Sequence, residues 1–175
     1  YHRDDNPTVR EVEHQIAVME QAEDCIVCTS GMAACSMVFF TYLRAGDHLV
    51  LFHDTYGANY KVSLMLERFG VEISWVDADD SERLAEWVRP TTRMIFLETP
   101  SNPLCKIIDI AQVRRVADSV GAMVVVDNTF ATPYHQKPLQ QGAHLVVHSA
   151  TKALGGHNDI MAGAIAGLKR YYNEL

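Results

Sequence analysis

The sequence predicts an α/β protein, a three-layer α/β/α fold built on a mostly parallel seven-stranded sheet. Three observations predict it. Short apolar runs alternate with longer helical patterns along 175 residues, with no internal repeat or low-complexity tract. The run Val124-Val125-Val126 ends in Asp127, as a parallel strand does when it presents an acid at its carboxyl end. A second run, Leu145-Val146-Val147-His148, delivers Ser149, Thr151 and Lys152 in the same manner.

The elements follow in order. Residues 25–29 (Cys-Ile-Val-Cys-Thr) read as a strand, and Ser30-Gly31 opens a helix over 32–44. Strands at 48–53 and 72–77 flank a helix at 60–69. Asp80-Ser81 suits the start of a helix over 81–88, and 93–98 is the next strand. Asp109 suits the start of a helix over 109–120, and strands follow at 122–127, 145–149 and 162–167. A chain of this length, 48% hydrophobic, buries one substantial core and has no internal domain boundary.

The chemistry centres on Lys152. An amine leaving an apolar strand is partly desolvated, which disfavours its charged form and suits it to imine formation with an aldehyde. A lysine at a strand end also snorkels to solvent, so the position alone does not decide. Gly155-Gly156-His157 after it reads as a glycine-loosened mouth. Asp127 supplies the second group: a lysine that forms an imine and an acid that pairs a pyridinium nitrogen are what pyridoxal 5'-phosphate (PLP) most needs from a protein. Alone, Asp127 also fits a helix or turn cap. Strand 25–29, the Ser30-Gly31 turn and the helix start would point free N–H groups and a positive dipole end at one anion, with Ser149 and Thr151 adding hydroxyl donors. Tyr56, before Gly57, either stacks on a flat ring or fills core.

These residues carry a resemblance. Tyr1-His2-Arg3 with Asn6-Pro7-Thr8, Ser30-Gly31-Met32-Ala33-Ala34, Gly46-Asp47-His48 and Tyr56-Gly57 occur in register with later segments. Those are Glu98-Thr99-Pro100-Ser101-Asn102-Pro103, Asp127-Asn128-Thr129-Phe130-Ala131-Thr132-Pro133, and Ser149-Ala150-Thr151-Lys152 with Gly156-His157-Asn158-Asp159. Together they resemble the cofactor domain of the PLP-dependent transsulfuration enzymes of cysteine and methionine metabolism. That family includes cystathionine γ-synthases, cystathionine lyases, methionine γ-lyases and homoserine-ester sulfhydrylases. The resemblance implies the large domain of fold-type I PLP enzymes over residues 1–175. It implies too that an N-terminal arm and a smaller C-terminal domain, which supplies a substrate-clamping arginine, lie outside this sequence. Tyr1 in place of an initiating methionine reads the same way.

Site roles are carried over on the same basis. Lys152 would hold the cofactor covalently and shuttle protons, and Asp127 would pair the ring nitrogen. Gly31 and Met32 amides, with Ser149 and Thr151, would bind phosphate. Tyr56 would stack on the ring as a possible acid or base, and Asn102 would lie near the ring hydroxyl. Tyr1 and Arg3 would reach the phosphate of a neighbouring subunit, which implies a homodimer or homotetramer with shared sites. Lys61 is either a basic group for the distal end of an esterified homoserine or an exposed helix lysine. The expected activity is γ-replacement of the cystathionine γ-synthase type, with cystathionine or methionine γ-elimination and ester sulfhydrylation as competitors, and a non-catalytic cofactor domain as a reading of another class. Ser149-x-x-Lys152 also matches serine hydrolases that recognise penicillin, but there the serine opens a helix and further elements follow that are missing here.

A formal net charge of −7 without a basic cluster argues against nucleic acid, and no apolar run is long enough to cross a bilayer. The expectation is a cytoplasmic enzyme acting on a small amino acid, with no membrane partner and no metal. Cys25-x-x-Cys28 resembles a metal half-site, yet residues three apart on a strand face opposite sides. Cys25, Cys28, Cys35 and Cys105 are therefore expected to be buried free thiols of a reducing compartment.

Overall fold

Three consecutive valines cannot all face one side of a strand, so a sheet that buries Val124, Val125 and Val126 completely must be covered on both faces. The computed structural model describes residues 6–174 and shows that arrangement. The strands are β1 (Asp24–Cys28), β2 (His48–Phe52), β3 (Glu72–Val76), β4 (Thr92–Glu98), β5 (Met123–Asp127), β6 (Leu145–His148) and β7 (Gly163–Gly167). Their order across the sheet is β1-β7-β6-β5-β4-β2-β3. The pairs from β3 through β6 are parallel, while β7 runs antiparallel to β6 and β1. Each strand lies within one residue of its expected bounds.

The helices are α1 (Pro7–Glu20), α2 (Gly31–Tyr42), α3 (Gly57–Arg68), α4 (Ile110–Val120) and the single turn α5 (Thr132–His135). Strand alternation sorts the core into two layers. Leu49, Leu51, Phe96, Val125 and Val147 pack with Phe39 of α2, whose ring lies 5.0 Å from that of Phe96. Val50, Ile95, Leu97, Val124 and Val126 pack on the other face with Val113 and Ala117 of α4. Cys25 packs with Ile16 and Ala17 of α1, whereas Cys28 joins the α2 layer, so the two thiols do face opposite sides.

Local chemistry sets the helix ends. Ser30 Oγ accepts the Ala33 N–H at 3.0 Å and Asp109 Oδ1 accepts the Gln112 N–H at 3.1 Å. Asp109 is thus the cap before α4, and Gly121 closes that helix at φ 70°.

Besides short turns such as α5, which were not expected, two longer elements differ from expectation. α1 was not anticipated, although Asn6 caps it through the Thr8 N–H at 2.9 Å and Pro7 occupies its first turn. The expected helix at 81–88 is instead a kinked 3₁₀ segment, Ala78–Glu86, broken at Arg83. Only Ala78 and Leu84 anchor it, too few apolar contacts to hold a regular amphipathic helix.

Candidate active site

The carboxyl ends of β4 and β5 form the floor of the site. Glu98 and Asp127 are partners in the parallel register and are 5% and 8% exposed. They share the parity of Phe96 and Val125, so both face the α2 layer. Asp127 Oδ1 accepts the Thr129 N–H at 3.0 Å. Burial raises the Asp127 pKa, opposed by the Thr129 hydrogen bonds and the charge of His148. Glu98 Oε2 accepts the Tyr56 N–H at 2.9 Å. Burial and the neighbouring Asp127 raise the Glu98 carboxyl to about 8, against the Tyr56 hydrogen bond.

A second layer lies behind this floor. Glu20, at the end of α1, is fully buried and its Oε1 accepts from Asn128 Nδ2 at 2.8 Å and meets His148 Nε2 at 2.6 Å. Asn128 Oδ1 accepts from Gln136 Nε2 at 3.0 Å, which also donates to the Thr99 carbonyl at 2.8 Å. The network fastens the ends of β4, β5 and β6 to α1 and to the residue after α5.

The wall opposite is the start of α2. Its first N–H groups, at Gly31 and Met32, have no acceptor within the helix and form the positive end of its dipole. A Cβ at Gly31 would stand 2.7 Å from Ser149 Cβ and 2.8 Å from Ser149 Cα, so only glycine lets the helix start close on the end of β6. Ser149 is held there by its N–H, which donates to Thr129 Oγ1 at 2.8 Å. One cradle therefore joins backbone N–H groups and a serine hydroxyl, the donor set a phosphate requires.

Lys152 follows β6 in a turn in which the Lys152 N–H donates to the Ser149 carbonyl at 3.0 Å and the Gly156 N–H to the Lys152 carbonyl at 2.9 Å. Its side chain is exposed, so the desolvation expected of a strand lysine is not found: the turn carries it out of the sheet. Nor does Gly155 loosen this segment. A Cβ at Gly155 would meet the Ala150 carbonyl and Ile160 at 2.8 Å, so Gly155 lets the chain fold back tightly on itself.

These elements enclose a cavity of about 710 Å³, well inside the range of small-molecule sites. Its lining includes Gly31, Met32, Tyr56, Asn102, Asp127, Ser149, Thr151 and Lys152, eight residues singled out from the sequence. Thr151 differs from expectation in one respect. Its hydroxyl donates to the Ala162 carbonyl at 3.1 Å and accepts the Ala162 N–H at 3.0 Å, which commits its one proton to the lead-in of β7. Tyr56 is half exposed at the rim instead of filling core. Lys61, on α3, is exposed and is not part of the lining. Tyr1 and Arg3 lie outside the described residues.

Sequence reasoning missed Glu98, Asn59 and Cys35 in the same lining. Asn59, on α3, is fully buried, and neither its Oδ1 nor its Nδ2 has a hydrogen-bond partner. Glu98 carried a signal already in use, an apolar run ending in a carboxylate, as at Asp127. Among the described residues no helix is long and apolar enough to cross a membrane.

A family model described as Cys/Met metabolism PLP-dependent enzyme matches residues 1–174. An L-methionine γ-lyase of Fusobacterium nucleatum is 45% identical over 94% of this chain and 42% of its own length. A cystathionine γ-lyase of Bacillus subtilis is 41% identical over 99% and 46%, and a probable cystathionine γ-synthase of Herpetosiphon aurantiacus 42% identical over 94% and 52%. The chain thus spans about half the length of the relatives it matches. Among solved structures, metB from Corynebacterium glutamicum superposes with a TM-score of 0.95 at 39% identity, over 99% of this chain and 46% of the other. A cystathionine γ-lyase from Lactobacillus plantarum complexed with L-serine gives 0.94 at the same identity and coverage. With a family model matched along nearly its whole length and a fold-type I architecture, the chain belongs to the PLP-dependent enzymes of cysteine and methionine metabolism.

Proposed function

We propose that this chain holds PLP in the cavity at the carboxyl ends of β4–β6 and serves an enzyme that breaks the carbon–sulfur bond of a sulfur amino acid by elimination. One observation carries the cofactor assignment: the Gly31 cradle, the Asp127 carboxylate and the Lys152 amine, from three separate segments, line a single cavity of about 710 Å³. Bound there, PLP supplies an electron sink for a carbanion at the substrate α-carbon. Asp127 keeps a proton on the ring nitrogen, helped by Thr129 and the positive charge that His148 can carry behind it. Gly31, Met32 and Ser149 hold the phosphate. Lys152 Nζ would hold the cofactor covalently and, once displaced by the substrate amine, would be free to accept the α-proton. Tyr56, at the rim, would cover the ring of a bound cofactor and could pass a second proton through its hydroxyl.

Elimination is favoured over the γ-replacement expected from the sequence. That expectation leaned on Lys61, read evenly as a receptor for an esterified homoserine or an exposed helix lysine, and on the likeness of Gly155-Gly156-His157-Asn158-Asp159 to plant-type γ-synthases, which lyases largely share. Lys61 stands outside the cavity. Two of the three relatives described above are named lyases, one for methionine and one for cystathionine. Replacement remains the second reading, supported by the probable synthase among them. We infer also that the enzyme assembles from copies of this chain, which fits the exposed Val9, Val12, Val18 and Met19 along α1.

The test is to mix the purified chain with PLP, record its visible absorption, reduce with borohydride and map the modified peptide. A new band with label confined to Lys152 is expected. No band, or label scattered over surface lysines, overturns the assignment. Keto acid released from L-methionine or L-cystathionine then marks elimination, whereas replacement consumes an activated homoserine and a thiol and releases none.

A further inference from the structure

Two carboxyl groups stand side by side on the floor of this cavity, and the proposed function employs one. Glu98 and Asp127 are register partners on adjacent parallel strands, both buried, both on the α2 face. Like charges so placed do not both ionise without cost in a low-dielectric site. Glu98 also does something Asp127 does not: its Oε2 takes the N–H of Tyr56, the residue that starts α3 and the rim of the cavity. That leaves Oε1 to carry a proton. One turn along α3, the buried amide of Asn59 lines the same cavity without a partner for either of its polar atoms. The titratable groups that share the lining with Glu98 are Cys35 of α2, Tyr56, Asp127 and Lys152.

We propose that Glu98 is a positioning residue of this site: as an uncharged acid it ties the Tyr56 turn of α3 to the sheet and leaves Asp127 the only negative charge on the cavity floor. An ionised Glu98 would add a second charge facing an anionic cofactor. A neutral one accepts the Tyr56 N–H through its carbonyl oxygen and keeps the rim tyrosine over the floor. The inference rests on reading the cavity as the PLP site, and the experiment separates the two.

PLP affinity is measured by visible titration for the wild type, Glu98→Gln and Glu98→Ala at about pH 6.5 and about pH 9, with the apo proteins melted at the same two values. Glutamine keeps the acceptor and cannot ionise, so at the lower pH E98Q recovers affinity that E98A loses, the loss being about tenfold for one hydrogen bond to the Tyr56 turn. Between the two pH values wild-type affinity falls relative to E98Q by about tenfold, as expected for a group titrating near 8. The apo proteins follow by linkage. The Glu98 pKa is raised in the folded state, so its contribution to stability is present below the unfolded value and lost as pH rises through about 8. The wild type should therefore lose thermal stability relative to E98Q on going to the higher pH. E98Q binding as weakly as E98A at the lower pH, or parallel melting of wild type and E98Q, overturns the proposal. A wild type that shows no bound-cofactor band rejects the PLP reading instead, and Glu98 is then judged on the melting comparison alone.

Discussion

Gly31 and Ser149 meet so closely that a single methyl group cannot stand between them: a Cβ at Gly31 would lie 2.7 Å from Ser149 Cβ. The nearby Ser149 Cα, at 2.8 Å, is backbone, so no rotamer change relieves the clash. Gly31→Ala should push the start of α2 off the end of β6, costing about 1–3 kcal/mol of stability as other overpacked sites do. It should also weaken PLP binding, because both sides of the cradle move apart. Gly57 is the contrast, at the start of α3, where a Cβ meets nothing within 4 Å. Gly57→Ala should hold stability or raise it, by up to about 1 kcal/mol. Urea unfolding of both variants checks the pair, and equal losses would mean the Gly31 contact is relieved at little cost.

The buried pair of Glu20 and His148 predicts an asymmetry between single and double substitutions. His148→Leu leaves the Glu20 carboxylate buried without its 2.6 Å partner and should cost about 3–5 kcal/mol. Adding Glu20→Met removes the stranded charge, so the double variant should be less damaged than His148→Leu alone. Denaturant midpoints at neutral pH measure both. A double variant worse than the single would show that the Asn128 contact to Glu20, not the pair with His148, holds this layer together.

The thiols give a prediction that corrects an expectation. Cys25, Cys28 and Cys35 are buried as anticipated, but Cys105 is exposed in the loop after β4. Burial pushes the Cys28 thiol up to about 11 and raises those of Cys25 and Cys35 well above their ordinary value, with Glu13 adding at Cys25 and Cys28, and Asp127 and Glu98 adding at Cys35. Thiolate is the reactive form, so a soluble alkylating reagent should label Cys105 in the native chain and the other three only after unfolding. Mass spectrometry of peptides reads this directly. Native labelling of Cys35 would mean that the cavity floor opens to solvent.

The strands β2, β4, β5 and β6 were legible because buried parallel strands write themselves as apolar runs. The edge strands β1 and β3 and the antiparallel β7 were legible as short apolar runs between helical or turn segments. Helix α1 was not, since Val9, Val12 and Val18 face outward and blur its period; the Asn6-Pro7 cap was the readable sign. The residues of the site were legible where a run ended in a reactive group, as at Asp127 and Lys152. Glu98 ends an apolar run just as Asp127 does and was readable on that ground; only its pairing with Asp127 is invisible until the strands are ordered as β4 beside β5. The state of Lys152 and the engaged hydroxyl of Thr151 were not legible either, because both depend on how 149–162 folds back, which spacing does not encode.

His144 makes the acid limb of stability predictable. It stands just before β6, and its Nδ1 accepts the Val124 N–H at 2.9 Å, a bond that requires the unprotonated nitrogen. Burial, with Arg114 and Arg170 nearby and opposed by Asp118, lowers the imidazole to about 4. A histidine whose folded pKa lies below its unfolded value binds fewer protons when folded, so stability falls as pH drops from about 6.5 toward 4. Protonation would also strip the Val124 N–H of its acceptor at the point where β5 begins. His144→Asn, which keeps an acceptor and does not titrate, should flatten this limb while costing some packing at neutral pH. Thermal midpoints of the two proteins across that window decide it: parallel acid limbs would assign the loss to other groups, and a shallower limb in the variant assigns it to His144.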